Sequence, residues 1–471
     1  MTAGNNSFLA EKPIKSLIWK FALPSIASQL INAVYNIVDQ IFVGWGIGDL
    51  GIAAITVVFP LASITTALSV LFGSGGAAKF SLLLGEGKED EAGGIIGNAI
   101  SLMLLIGTTL ALGSILFLKP LLFFFGATDL IMPYARPYAL IICLGIPFGI
   151  FSTAVSYYIR ADGSPVYSSA VLLSGAIFNI IFDPIFLFVF DMGIEGIALA
   201  TILGQILSSL LAAHYLLRKF KTIKLGKKDF SPRFKNIKAI SSLGISAFTN
   251  HFLATVVQIV SANSLKHYGA ISKYGSEIAI AASGAVSKAM IVFMSCIIGV
   301  ALGCQPIYGY NYGSKRYDRV KETYLLAIRY SSTVAVIAFF ILQLFPRPIL
   351  SLFGSANPLF YEFGSRYIRI FLFMTFVNAL QPTTAIFFTS LGKAHVGFWL
   401  ALLRQGVLLL PLMLILPRFL GIDGLLYAGP VTDGIAAIVV SILGLRQLGV
   451  LTRMQELAVP WRNVFGGDER T

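Results

Sequence analysis

The sequence predicts an all-α integral membrane protein, with about twelve transmembrane helices in two pseudo-symmetric six-helix bundles. Three observations carry this: an apolar composition, a series of span-length hydrophobic runs, and an internal repeat. Of 471 residues, 56% are hydrophobic and 12% charged, against about 25% charged in an ordinary soluble domain. With a mean hydropathy of +0.81, the chain has too little polar surface to cover itself in water.

Crossing the hydrocarbon core takes about 20 apolar residues as a helix. Such runs lie at approximately 17–43, 52–83, 93–118, 130–158, 165–190, 194–217, 239–265, 278–304, 322–345, 358–390, 395–417 and 424–448. Several are longer than a minimal span, so tilt, kinks or overrun into the interface are expected. A β-barrel would need apolar and polar residues alternating over about ten positions per strand, and no such pattern occurs. The first run follows Lys12 and Lys15, as a signal peptide would. No small-residue cleavage site follows, and the run continues through Asp39 to Gly44, which reads as a retained first helix. Cys143, Cys296 and Cys304 all fall inside predicted helices, indicating neither a disulfide framework nor a metal cluster.

The net charge of +13 is distributed by side. With both termini cytoplasmic, the outer loops hold six basic residues: Lys119, Arg136, Lys266, Lys273, Arg347 and Arg418. Most of the others fall on the inner side, the positive-inside signature of a multi-pass cytoplasmic-membrane protein. The largest block, Arg218 to Lys238, has nine bases and one acid, Asp229. It reads as a solvated basic linker near anionic headgroups; nucleic-acid binding explains it less well.

The repeat has a period of 228 residues. "RPILSLFG" at 347–354 echoes "KPLLFFFG" at 119–126, "GIDG" at 421–424 echoes "GIEG" at 193–196, and Gly313 stands where Gly85 stood. Six helices return the chain to its starting side, so the halves are parallel and related by an axis along the membrane normal. The predicted division is 1–217 as N-terminal lobe, 218–238 as linker and hinge, 239–448 as C-terminal lobe and 449–471 as a cytoplasmic tail. Such a chain suits alternating access, with substrate in the cleft between bundles.

Ionisable groups within a membrane span are functional candidates by default. Asp39 lies five residues before the outer end of the first span, and Asp183 in the outer half of the fifth. Asn179 precedes Asp183 by four residues, so both project from one helix face. Thr201 and Tyr138 lie early in the sixth and fourth spans, which start outside. Two carboxylates, an amide oxygen and a hydroxyl suit Na⁺ rather than a soft metal. Desolvation and repulsion could instead leave one aspartate carrying a proton. The competing structural reading makes Asp39 a helix cap and has Asn179 and Thr201 merely bond neighbouring helices.

Pro24, Tyr35, Asp39 and Phe42-Val43-Gly44, the Asn179/Asp183 pair, Thr201 after "GIEGIALA", and the stretch from Gln305-Pro306-Ile307 to Gly309-Tyr310-Asn311-Tyr312-Gly313 resemble the multidrug and toxic compound extrusion (MATE) family, closest to its bacterial members. The resemblance runs from residue 13 to about 448. It implies a V-shaped cleft between two lobes and Na⁺- or H⁺-driven export of amphipathic, often cationic drugs. It also implies a cation site at Asp39, Asn179, Asp183 and Thr201, flanked by Pro24, Tyr35 and Tyr138. No cofactor beyond the coupling ion and no nucleic acid are expected, and the protein is expected to act as a monomer and not as an enzyme.

The second half departs from relatives that carry carboxylates in their seventh and tenth helices. Here the seventh span has no acid and Glu362 only starts the tenth. Asp433 aligns with Gln205 through the repeat and could neutralise Arg404 or Lys288 as a structural ion pair or serve in transport, while His251 reads as a packing histidine rather than a proton relay. A lipid or lipid-linked saccharide flippase of the same superfamily is the nearest alternative, but would want a strongly basic cleft. A membrane enzyme would need a nucleophile with its base or a metal motif, and neither is found.

Overall fold

The computed structural model describes residues 8–458 apart from 126, 128, 224 and 353–356, with backbone alone at some helix positions, among them 39. The repeat ends Gly126 and Gly354 and residues 459–471 of the tail therefore lie outside the described residues. Among the described residues twelve spans follow one another. The first set is α1 (Ile14–Gly46), α2 (Asp49–Gly85), α3 (Glu89–Leu116), α4 (Met132–Ala161), α5 (Pro165–Pro184) and α6 (Gly193–His214). The second set is α7 (Phe234–Ile271), α8 (Ser276–Gly313), α9 (Tyr317–Leu344), α10 (Pro358–Phe371 and Leu380–Ser390), α11 (Ala394–Leu420) and α12 (Ile422–Ala458). Leu105, Leu116, Leu217, Phe419 and Leu445 stand exposed on or beside them, as apolar side chains facing lipid do. Short helices Leu118–Phe124 and Pro346–Ser351 follow α3 and α9, where the repeat predicts equivalent structure.

Three spans are irregular. α10 bends by 45° between Phe371 and Thr375, where Thr375 Oγ1 donates to Leu372 O at 2.7 Å. Past Pro184, α5 loosens into a π-helical turn, Ile185–Val189, and a longer π stretch, Leu402–Leu409, interrupts α11. Such wide turns rotate the side chains that follow and often mark functional positions.

The bundles meet on the side where the linker lies. There α1 packs on α8, and α7 on α2, each contact being the repeat-mate of the other. Small residues allow the approach: Cβ atoms on Gly75 and Gly303 would lie 2.7 Å from Gly244 Cα and Ala22 Cα. The lower part of α1 even enters the second bundle's core, with Leu17, Ile18 and Phe21 beside Val300, Tyr308 and Phe387. Residues 8–12 join it there: Asn311 Nδ2 and Arg319 Nη2 each donate to Leu9 O at 3.1 Å. These close approaches all fall in the linker-side halves of α1, α2, α7 and α8. Toward the far side, α1 exposes Val34, and α7 exposes Phe252 and Ile259. The two bundles thus form a V that opens away from the linker.

The linker differs from its expected solvated state. Its described basic side chains are exposed, but its backbone is fastened to the first bundle. Asn98 Nδ2 on α3 donates to Asp229 O at 2.8 Å and Ser231 O at 3.0 Å, and its Oδ1 accepts from Arg233 N at 2.5 Å. Asp162, fully buried after α4, accepts from Tyr215 Oη (2.7 Å), Lys221 N (2.9 Å), Thr222 N (3.1 Å) and Thr222 Oγ1 (2.6 Å). Burial pushes the Asp162 pKa up, while those bonds pull against it. A strap of main-chain amides otherwise exposed to water gains partners this way, which a sequence pattern does not reveal.

Candidate functional site

The π turn after α5 fixes the level of the candidate cation site. At the far end of α1, a Cβ on Gly46 would collide with Leu187 of that turn. The two helices run parallel, rising about 1.5 Å per residue. Position 39 is seven residues below Gly46, and Asp183 and Asn179 are four and eight below Leu187. The backbone at 39 therefore sits level with the interval between them. The Asp39 side chain itself lies outside the described residues.

Around Asp183 the polar groups converge. Asn179 Nδ2 donates to Asp183 Oδ1 at 3.0 Å and to Thr201 Oγ1 at 3.1 Å. Thr201 Oγ1 in turn donates to Ile197 O at 3.1 Å, one turn back along α6. Asp183 is 0% and Asn179 2% exposed, so a carboxylate and an amide have left water together. With both its N–H groups aimed at oxygens, Asn179 has its own Oδ1 turned the other way. Among the described residues no donor reaches that Oδ1. A buried acceptor without a donor costs about 1–3 kcal/mol, and a bound cation would remove the deficit. Carboxylate, amide and hydroxyl oxygens are the hard donors that Na⁺ takes, and the same carboxylate could hold a proton.

The flanking residues divide. Tyr138 is buried at the same depth on α4, in the core shared with Ile197 and Ala198. Tyr35 is half-buried one turn below position 39. Pro24 does not stand beside the site. Ser169 Oγ on α5 donates to Pro24 O at 2.6 Å, and Ser169 is 14 residues, about 21 Å, below Asp183. Pro24 lies where α1 crosses between the bundles, 15 residues before position 39, so its place beside the site, implied by the family resemblance, is corrected.

The second bundle holds no equivalent cluster among its described residues. Val407 and Pro411, the repeat-mates of Asn179 and Asp183, offer no side-chain oxygen. Asp433 is paired with Arg404, whose Nε donates to Asp433 Oδ1 at 2.9 Å and whose Nη2 lies 2.8 Å from the same oxygen. Arg404 rather than Lys288 is thus the partner, and no described carboxylate lies within 4.0 Å of Lys288. Glu362 is engaged at the far rim by Lys273 and by Tyr274 Oη at 3.0 Å. His251 is exposed on α7, which corrects the buried packing role expected of it. Reading by span missed Arg160, buried at the end of α4 with its guanidinium 5.4 Å from the Tyr157 ring centre. A charged residue abutting the helix end was the available signal.

The MatE family model matches this chain twice, over residues 24–185 and 252–415, one copy for each six-helix unit. Two such bundles, splayed as a V and joined by a strap, define a membrane transporter, and the chain belongs to the MatE, or multidrug and toxic compound extrusion, family. Among its relatives is the multidrug export protein MepA of Staphylococcus haemolyticus, 24% identical over 433 residues, covering 91% of this chain and 93% of the relative. MepA of Staphylococcus aureus is 23% identical over 434 residues, covering 92% and 93%. The MATE multidrug transporter DinF-BH is 30% identical with a TM-score of 0.86, covering 94% of this chain and 98% of that one. An outward-facing multidrug resistance MATE transporter shares 21% identity and a TM-score of 0.89, covering 96% and 100%.

Proposed function

We propose that this protein is a cation-coupled antiporter that exports amphipathic, often cationic drugs and toxic organic compounds from the cytoplasm by alternating access. The observation that carries the reading is the buried Asn179–Asp183–Thr201 cluster, whose Asn179 Oδ1 has no donor among the described residues and which has no described counterpart in the second bundle. Entry of Na⁺ or H⁺ from outside would neutralise Asp183, with Asp39 contributing from α1 at the same level. A ligand shifts a two-state equilibrium only through its differential affinity for the two states, and this carboxylate is the group whose charge supplies it. Substrate would occupy the cleft between the lobes 1–217 and 239–448. The family relatives named for multidrug export support the substrate class, and the basic linker supports cytoplasmic termini in the inner membrane.

The test is export of a fluorescent cationic dye from proteoliposomes, with Na⁺ and pH gradients imposed separately. Either gradient should drive export, and Asp39→Asn should abolish it while the protein remains folded. Gradient-independent dye movement, or wild-type export by Asp39→Asn, overturns the reading.

A further inference from the structure

A cavity of about 550 Å³ lies beneath the linker, on the outer side of the first bundle and away from the inter-lobe cleft. Its walls are Leu104 of α3, Phe151 of α4 and Ala213 of α6, and its roof is Leu225 and Phe230 of the linker. Arg218 stands among them as the lining residue that carries charge. The volume falls in the range of about 300–1,000 Å³ typical of small-molecule sites.

The cavity is built rather than incidental. Asp162 holds the roof at Lys221 and Thr222, and Asn98 and Ser101 hold it at 229–231. Phe220 is wedged edge-on against Phe80 and Tyr215, fixing the corner between them. Farther along the spans from the cavity, α3 and α6 go on exposing apolar side chains, Leu112 at 62% and Leu210 at 64%. In a membrane-spanning bundle that surface is met by acyl chains.

The rim is cationic. Besides Arg218, the strap exposes Lys219, Lys221, Lys228 and Arg233. Its acid, Asp229, is buried and accepts from Gly226 N at 2.8 Å. An apolar slot opening to the bilayer under a band of positive charge matches a lipid with one chain inserted and an anionic headgroup at the interface. We infer that this cavity is a specific site for an anionic glycerophospholipid of the linker-side leaflet, with an acyl chain between α3 and α6 and the phosphate on Arg218. The site lies outside the transport cleft and does not depend on the coupling reading above.

Native mass spectrometry of the full-length protein, released from nanodiscs of equal phosphatidylglycerol and phosphatidylcholine, tests this directly. Wild type should retain one phosphatidylglycerol in preference to phosphatidylcholine by about fivefold, the effect expected of one basic residue at an anionic interface. Arg218→Gln should lose the preference. Leu104→Trp, filling the slot, should lose retention of both lipids, while Leu105→Trp, next to it but off the lining, should behave as wild type. Equal retention of the two lipids by wild type, or an unchanged preference in Arg218→Gln, overturns the inference even if Leu104→Trp fails to fold.

Discussion

Gly85 and Gly313, repeat-mates 228 residues apart, meet each other across the bundle interface. A Cβ on Gly85 would lie 2.9 Å from Gly313 Cα, and one on Gly313 would lie 3.0 Å from Gly85 Cα. Ser81 and its mate Gly309 meet in the same way, the Cβ of the glycine position 2.6 Å from Ser81 Cβ. The pseudo-two-fold axis therefore runs between these pairs, at the closed end of the V.

Backbones this close tolerate no side chain, so Gly85→Val should pry the closed end apart. Pulsed EPR distances between spin labels at Lys88 and Arg316 should lengthen by several Å, with a matching fall in dye export. An unchanged distance distribution would show that the seal is made elsewhere.

Asp183→Asn keeps the shape of the cluster but removes its charge. Cation-driven export is expected to stop, whereas dye binding to the purified protein should persist. Export that keeps its full dependence on a Na⁺ or pH gradient would clear Asp183 of a coupling role.

Arg404→Gln should behave differently, because it leaves Asp433 buried without its guanidinium. Breaking such a pair costs about 3–5 kcal/mol at full burial, and the partial exposure of Arg404, 24% at the side chain, reduces that to about 2 kcal/mol. A lower midpoint of thermal unfolding is expected, with the cation dependence of export intact. Asp433→Asn should likewise preserve that dependence; if it erases it while Asp183→Asn does not, coupling belongs to the second bundle.

Asp162→Ala removes the acceptor for four hydrogen bonds. The Lys221 and Thr222 amides should lose hydrogen-exchange protection by at least about tenfold, one charge-assisted bond being worth about 1.5–3 kcal/mol. Protection that survives would mean that Asn98 and Ser101 suffice to hold the strap.

The spans were legible because membrane burial imposes a one-dimensional rule on composition. Even so, α7 starts at Phe234 and α12 runs to Ala458, beyond their apolar runs, since helix ends that sit in the interface tolerate Lys and Arg. The Asn179–Asp183 contact could be read from four-residue spacing, and Thr201 from depth. Arg404 and Asp433 form one pair from two helices, and sequence could name the members without choosing between Arg404 and Lys288. The fastening of the linker and the crossing of α1 stayed hidden. Both depend on main-chain partners and small-residue contacts between distant segments, which carry no periodic signature.

The crossing of α1 also sets an order of assembly. Leu9 O accepts from Asn311, 302 residues later in the chain, and Phe21 shares a core with Phe387. During synthesis the first helix enters the bilayer long before its neighbours exist. Contacts closed over such separations form late and slowly. The lower third of α1 must therefore wait, covered by lipid or by chaperoning membrane machinery, until α8 and α10 arrive to complete the bundle it belongs to.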